Sequence, residues 1–130
     1  MGRFAGKDIL QRSRGLALEA IKLVRSMSRD SASRIIGDQL LRSATSVGAN
    51  LHEADMAESV ADFCNKVNLS QKEAGETVYW LTLIREAQLT SVPALATLEA
   101  DAASLQRVCR QIVLSTRRKM TASSPPPHKT

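Results

Sequence analysis

The chain is poor in aromatic residues: Phe4, Phe63, Tyr79 and Trp80 are the only four among 130 residues. Proteins that bind RNA or single-stranded DNA on a β-sheet stack the bases on exposed rings. This composition therefore disfavours a fold of the RNA-recognition or oligonucleotide-barrel kind. The other apolar residues are mainly Leu, Ala, Val and Ile, and a chain of this length is expected to form one domain.

Cysteines and long apolar runs are also scarce. Cys64 and Cys109 are too few for a disulfide framework and lack a paired metal-ligand spacing, so we expect two buried, reduced thiols. The stretch Gly15–Met27 is interrupted by three charged residues. Such a stretch suits neither an export signal nor a membrane span. We therefore expect a cytoplasmic protein that does not enter the membrane.

The sequence also lacks the motifs of common enzymes. There is no G-x-S-x-G and no glycine-rich phosphate loop, and the two histidines are His52 and His128. His52 lies close to Glu53, Asp55 and Glu58, which raises the possibility of a metal site. A di-iron bundle, however, needs Glu-x-x-His on two helices, and that motif is missing. We predict a non-enzyme with neither metal nor cofactor.

The charge that is present is unevenly distributed. The net charge is +5, and the sequence pI is about 9.7. Residues 1–30 contain seven Lys or Arg against three Asp or Glu, residues 50–90 contain three against seven, and residues 91–130 contain six against two. This basic–acidic–basic order suits nucleic-acid binding, but it suits self-association by complementary charge equally well.

Apolar residues recur at helical spacing in four segments, which predict helices over 8–27, 32–56 and 60–89 and a fourth that has Pro93 in its first turn and ends at Arg117, Arg118 and Lys119. Ser31 and Ser59 are the expected N-caps of the second and third helices, and Pro93 suits the first turn of the fourth. Gly37 and Gly48, inside the second helix, indicate that another backbone approaches closely. Residues 121–130 are rich in proline and serine and are expected to form a disordered tail.

The apolar stripes indicate how these helices pack. The fourth helix has a seam with alternating three- and four-residue steps: Leu95, Leu98, Ala102, Leu105, Cys109, Ile112 and Thr116. The third helix has one stripe through Val67 and a second through Trp80, so its second face needs cover from its own fold or from another chain. Short connections favour antiparallel neighbours. The predicted fold is an all-α, up-down-up-down four-helix bundle over residues 1–120.

A line of polar side chains follows one face of the second helix. Its members, spaced by four, four and three residues, are Arg42, Ser46, Asn50 and Glu53. This line could bind a ligand. It could instead form a buried network in which Arg42 and Asn50 meet Glu73 or Glu76 of the third helix. We favour the network, which would fix the register of the two helices.

Three ordered motifs carry a resemblance to a known family. The patterns are R-x-x-x-S-x-x-x-N-h-x-E, S-x-x-D/E-F-x-x-K/F and S-x-x-E-h-x-x-x-h-x-h-L, where h is apolar. Here they comprise Arg42, Ser46, Asn50, Leu51 and Glu53; Ser59, Asp62, Phe63 and Lys66; and Ser70, Glu73, Trp80 and Leu81. The block from Gln39 to Leu89 thereby resembles the bacterial four-helix-bundle proteins encoded in intervening sequences of large-subunit ribosomal RNA genes. It departs from their pattern at Gly48, His52 and Ala54.

The resemblance implies an antiparallel bundle that assembles into a homo-oligomeric ring, commonly a pentamer. That family is similar in fold to the accessory subunit of diversity-generating retroelements, which binds a reverse transcriptase and nucleic acid through a basic surface. Independently of the resemblance, Tyr79 and Trp80 could stack a base, but at helical spacing with apolar neighbours Trp80 is better placed for a subunit interface.

Basic residues near the two ends of the chain are the candidate nucleic-acid site, because the first helix starts where the fourth finishes. They are Arg3, Lys7, Arg12 and Arg14, together with Arg117, Arg118 and Lys119. Our functional hypothesis is a non-catalytic oligomeric scaffold that binds RNA, DNA or a nucleic-acid enzyme through this basic surface. The alternative is a protein–protein interaction module that does not bind nucleic acid.

Overall fold

A computed structural model describes residues 2–4 and 8–123. These residues form four α-helices: α1 (Ile9–Ser26), α2 (Ser31–Asp55), α3 (Val60–Glu86) and α4 (Ala94–Ser123). The predicted tail from residue 121 is helical as far as Ser123, and residues 124–130 lie outside the described part of the chain. Within that part, none of the helices is both long enough and apolar enough to span a membrane.

The helices form an antiparallel bundle in which consecutive helices pack against each other and α1 also packs against α4. The α2–α3 and α3–α4 interfaces are the most extensive, whereas α1 touches α4 over a short stretch. The predicted all-α, up-down-up-down four-helix bundle is confirmed. The ring that the family resemblance implies remains a prediction.

The helix ends follow local capping chemistry. Ser59 caps α3 as predicted, because its hydroxyl accepts the Asp62 N–H at 3.0 Å. The predicted N-cap of α2 is wrong by one residue: the carboxylate of Asp30 accepts the Ser33 N–H at 2.8 Å, so that Ser31 is already helical. The hydroxyl of Ser28 donates to the same carboxylate and is the main reason why the pKa of Asp30 is lowered.

Helix α3 stops at Glu86, three residues before the predicted end. Gln88 has φ 56°, in the left-handed region, and the Leu89 N–H bonds back to Ile84 O at 3.0 Å. This six-to-one hydrogen bond is typical of a helix C-terminus that usually contains glycine. Glutamine gives no comparable sequence signal, and the boundary was therefore missed.

The core is formed by leucine and small side chains from all four helices. Between α2 and α3 it includes buried hydroxyl groups, which satisfy one another or backbone carbonyls: Ser70 Oγ donates to Val47 O at 2.8 Å, and Thr77 Oγ1 lies 2.9 Å from Ser43 Oγ. Gly48 lies against α1, where an added Cβ would be 3.3 Å from Ser13 Oγ. The expected close helix approach at this glycine is confirmed.

Candidate nucleic-acid interface

The last part of α4 extends beyond the start of α1. Arg12, near the start of α1, donates from Nη2 to Ser104 Oγ at 2.9 Å, which places the beginning of α1 beside the middle of α4. From Ser104 to the helix end at Ser123, a rise of 1.5 Å per residue gives roughly 28 Å. One flank of α4 therefore lacks a helical neighbour over this length.

A cleft of about 920 Å³, which we call the α4 cleft, lies along this flank. Its apolar wall consists of Phe4, Val60, Phe63, Val108 and Ile112. The rings of Phe4 and Phe63 pack with their centroids 5.3 Å apart. Its described lining also contains three cations, Arg3, Arg107 and Lys119, and no carboxylate. The α4 cleft is therefore amphipathic, with an apolar wall and a positive rim.

Arg3 is held at this rim by the connection between α2 and α3. Its backbone N–H donates to Asp55 O at 2.9 Å, and its Nε donates to Ala57 O at 2.7 Å. The Asp55 carboxylate also accepts the Phe4 N–H at 2.7 Å, while the Arg3 guanidinium lies 5.8 Å from the Phe63 ring centroid. Arg3 is therefore a fixed cation at the end of the bundle.

The C-terminal half of α4 carries a cluster of exposed cations, which we call the α4 basic surface: Arg107, Arg110, Arg117, Arg118 and Lys119. In the described part of the chain, none of the five forms an ion pair. No Asp or Glu follows Asp101 in the sequence. Arg110 and Arg117 are seven residues apart, close to two full helical turns, and so lie on nearly the same side of α4.

The structure brings together only some of the predicted basic residues. Arg117, Arg118 and Lys119 lie together at the end of α4, and Lys7 falls outside the described residues. Arg12 donates a hydrogen bond to Ser104. Ser104 precedes Arg117 by thirteen residues, a separation of about 20 Å along α4.

Arg14 lines a separate small groove between α1 and α2, together with Gly48 and His52. The predicted clustering of Arg12 and Arg14 with the α4 cations is therefore wrong, because α1 has 18 residues against 30 in α4 and their ends do not align.

Arg107 and Arg110 were missed as candidate residues. A sequence signal was available, since the last acidic residue is Asp101 and every later charged residue is a cation. The net charge of residues 91–130 as a whole does not reveal this boundary, because Glu99 and Asp101 lie near the start of α4.

The polar line on α2 is a surface network. Arg42 Nη1 lies 3.2 Å from Glu73 Oε2, and its Nη2 pairs with Glu76, whose carboxylate also accepts Trp80 Nε1–H at 3.2 Å. The predicted pairing of Arg42 with α3 is confirmed. The predicted burial is wrong, because the Arg42 side chain is 45% exposed.

The other members of the line have partners other than Glu73 and Glu76. Asn50 Nδ2 donates to Ser46 O at 2.9 Å, and Ser46 Oγ donates to Arg42 O at 2.7 Å, so Asn50 bonds within α2 instead of meeting Glu73 or Glu76. Glu53 pairs with Lys66 at 3.1 Å and raises its pKa. The hydrogen bond from Arg42 lowers the pKa of Glu76, and the same bond raises the pKa of Arg42.

The exposed face of α3 carries aromatic and aliphatic side chains. Tyr79 is 56% exposed, and its ring packs edge-on against Trp80 with the centroids 4.9 Å apart. Leu69 is also exposed, whereas Leu83 is partly covered. The expectation that Trp80 lies at a subunit interface stays a prediction. Among the described residues, no group of three or more His, Cys, Asp or Glu could hold a metal ion.

These features define an all-α, antiparallel four-helix-bundle protein with a cluster of exposed cations on the last half of α4. The chain belongs to the 23S rRNA-intervening sequence protein family, which it matches over residues 7–111. A solved relative is a protein of unknown function from the S23 ribosomal protein family of Bacteroides thetaiotaomicron VPI-5482. It is 31% identical, with a TM-score of 0.74, and the match covers 81% of this chain and 97% of that one. A comparison with curated proteins finds no significant match.

Proposed function

We propose that the protein is a non-catalytic, oligomeric helical scaffold that binds RNA or DNA through the α4 basic surface. The observation that supports this function is the run of five exposed cations on α4, none paired with a carboxylate in the described part of the chain. The family description refers to 23S rRNA intervening sequences, which makes RNA the first polyanion to test.

The chemistry expected of this surface is phosphate binding without base readout. Each Lys or Arg that neutralises a phosphate releases a condensed counterion, so affinity falls steeply as salt rises. Phe4 and Phe63 pack in the core and cannot offer stacking faces. Contacts to phosphate position a protein on nucleic acid but do not specify sequence. Several copies in one assembly would add avidity to a weak single-subunit site.

The test reverses three cations of the α4 basic surface that lie away from the cleft: Arg110→Glu, Arg117→Glu and Arg118→Glu. We expect the parent to bind fluorescent RNA in an anisotropy titration at low salt and to release it at moderate salt. The triple variant should lose this binding and keep the parent's helical circular dichroism and oligomeric mass, because all three side chains are exposed.

The chain offers a matched control at the opposite end of the bundle. Arg25, Arg29 and Arg34 are exposed cations near the α1–α2 connection, and in the described residues they form no ion pair. Their triple replacement by Glu changes the net charge by the same amount but should leave most RNA binding intact. Failure of the parent to bind at low salt, or equal loss in both triple variants, would contradict the proposal.

A second candidate function is a protein–protein interaction module, with a nucleic-acid enzyme such as a reverse transcriptase as the partner that the family resemblance implies. The exposed Tyr79 and its packing against Trp80 on α3 favour this alternative. An interface centred on these rings would depend on apolar burial and would be largely insensitive to salt. A Tyr79→Ser, Trp80→Ser variant should weaken such an interaction, whereas it should leave RNA binding by α4 unchanged.

A further inference from the structure

The α4 wall of the α4 cleft has the form of a surface that packs against a helix. Its side chains fall into two adjacent rows at four-residue spacing: Ser104, Val108, Ile112 and Thr116 in one row, and Arg107, Gln111, Ser115 and Lys119 in the other. Rows of this kind are the ridges between which the side chains of a second helix pack. From Ser104 to Lys119 the rise of an α-helix gives roughly 22 Å, which is about four turns.

No helix of the described chain packs on this wall. Helix α1 begins at Ile9, and Arg12 near its start donates to Ser104 at the beginning of the cleft. From there α1 runs antiparallel to α4, alongside the part of α4 that precedes Ser104. Val108 and Ile112, the apolar members of the first row, are therefore only half-buried. The vacant position is the one that an N-terminal extension of α1 would occupy.

The charge around the α4 cleft favours an acidic occupant. Arg3, Arg107 and Lys119 are the charged residues of its described lining, and none of them forms an ion pair within the described part of the chain. Helices α1 and α4 together carry nine Lys or Arg and three Asp or Glu, whereas α2 and α3 carry five and seven. The positive field on this side of the bundle attracts carboxylates and repels cations.

We propose that the α4 cleft binds an amphipathic, acidic helix of a partner protein. Apolar side chains at three- and four-residue spacing on that helix would pack on Val60, Val108 and Ile112. Asp or Glu residues beside them would lie next to Arg107 and Lys119, which are twelve residues and about 18 Å apart along α4. The partner helix is therefore about four turns long, with an apolar stripe and carboxylates near both ends.

The rest of the chain and a nucleic acid both fit the α4 cleft less well. Residues 124–130 contain three consecutive prolines, which lack the backbone N–H groups of a helix, and no carboxylate. Two carboxylates near the α2–α3 connection have partners already, since Glu53 pairs with Lys66 and Asp55 accepts the Phe4 N–H. A nucleic acid would satisfy the cations of the rim but would leave the apolar wall without apolar contact.

This site lies apart from the RNA contacts of the proposed function. Arg110, Arg117 and Arg118 are not in the described lining of the α4 cleft. One helix would thus hold RNA on one side and a partner protein on the other. Protein binding and RNA binding can be tested separately, because different side chains are changed in the two experiments.

The probe is a fluorescein-labelled synthetic peptide of about 15 residues, the length that spans roughly 22 Å as a helix. It has leucines at three- and four-residue spacing and glutamates beside them at both ends. In an anisotropy titration we expect it to bind the parent protein in the micromolar range. A peptide of the same composition in scrambled order should bind at least about tenfold more weakly, because it has no apolar stripe.

A charge swap tests the role of the rim. The Arg107→Glu, Lys119→Glu variant should bind the glutamate peptide at least about tenfold more weakly than the parent does. The same variant should bind a peptide with lysine in place of each glutamate more tightly than the parent does, which also shows that the variant is folded. A control with the same change in net charge at the opposite end of the bundle, Arg25→Glu with Arg29→Glu, should keep the parent's affinities.

The apolar wall is tested with Val108→Ser and Ile112→Ser together. This variant should lose the glutamate peptide and keep the parent's helical circular dichroism and its mass by light scattering, because both side chains are only half-buried.

Three results would overturn the inference: a parent that does not bind the glutamate peptide, a charge-reversed variant that binds the lysine peptide no better than the parent does, or a wall variant with a lower oligomeric mass. The last result would assign the α4 cleft to contact between copies of this chain. Loss of RNA binding in the Arg110, Arg117 and Arg118 variant is a separate readout, so failure of the proposed function is distinguishable from failure of this site.

Discussion

Arg42 provides a sharp test of how α2 and α3 are held in register. In the Arg42→Ala variant, Glu73 and Glu76 lose their shared cation. The three side chains are 45%, 24% and 36% exposed, so solvent screens their attraction. Exposed ion pairs typically add about 0.2–1 kcal/mol each to the free energy of unfolding, and a partly exposed network of this size should add about 1 kcal/mol. For a chain of this length, that corresponds to a loss of about 4 °C in Tm.

The assay is urea denaturation followed by circular dichroism, with a double-mutant cycle between Arg42→Ala and Glu76→Gln. The coupling energy should be positive and below about 1 kcal/mol, and it should shrink at high salt. A loss above 3 kcal/mol would refute the surface-network reading, because losses of that size follow the unpairing of a buried charge. A loss that depends on protein concentration would place Arg42 in a subunit interface.

The same network predicts a pH dependence with a definite sign. Arg42 lowers the pKa of Glu76 below its ordinary value of 4.5 in the folded protein. The contribution of Glu76 to stability is therefore present above about pH 4.5 and is lost as the pH falls through the lowered pKa. The parent and the Arg42→Ala variant should differ in stability at pH 7 and converge as the solution is acidified below pH 4. A difference that persists unchanged at pH 3 would rule out this ion pair as its cause.

Two further predictions concern the core. Gly48→Val should lower the free energy of unfolding by about 2 kcal/mol, because even an added Cβ would lie 3.3 Å from Ser13 Oγ. Gly15→Ala should raise the free energy of unfolding by up to about 1 kcal/mol, since nothing lies within 4 Å of its added Cβ. Thermal melts of the two variants should shift in opposite directions. Cys109 is fully buried, and burial raises its thiol pKa, so iodoacetamide should alkylate it slowly at pH 8 until the protein is unfolded. Rapid labelling of the folded chain, measured by mass spectrometry, would show that the core opens locally.

The helical fold was predictable because apolar periodicity and short connections are local properties of the sequence. The cap at Ser59 was predictable for the same reason. At the start of α2, by contrast, Asp30 and Ser31 are both good N-cap residues, and only the backbone conformation selects Asp30. The end of α3 depends on a left-handed Gln88, a conformation that its residue type does not signal.

The apolar seam of α4 illustrates a limit of pattern reading. A repeat with three- and four-residue steps averages 3.5 residues, whereas a straight α-helix has 3.6 residues per turn, so the seam drifts around the helix. Toward the C-terminal end the buried position is Val113. Ile112 and Thr116, which the seam pattern predicts to be in the core, therefore line the α4 cleft instead.

The candidate site was only partly predictable because it depends on how the helix ends align in space. Residue types identified the charge partners of Arg42, but they carry no information about the depth at which an ion pair lies. Antiparallel topology placed the basic termini at the same end of the bundle. The sequence does not show how α1 and α4 align along their length. In the structure Arg12 contacts Ser104, which lies about 20 Å from Arg117 along α4.

The distribution of ion pairs shows that the α1/α4 side of the bundle has the least charge compensation in the described chain. The inter-helix ion pairs of the described residues join α2 to α3, where Arg42 pairs with Glu73 and Glu76 and Lys66 pairs with Glu53, and α3 to α4, where Arg85 pairs with Glu99. In the described residues, no ion pair joins α1 to α4, the edge where cations outnumber anions most strongly and helix contact is least. Like charges on one edge repel one another and stabilise neither helix. An anionic partner that binds only the folded chain would offset this repulsion and raise its stability. On the proposed function, that partner is nucleic acid at the α4 basic surface.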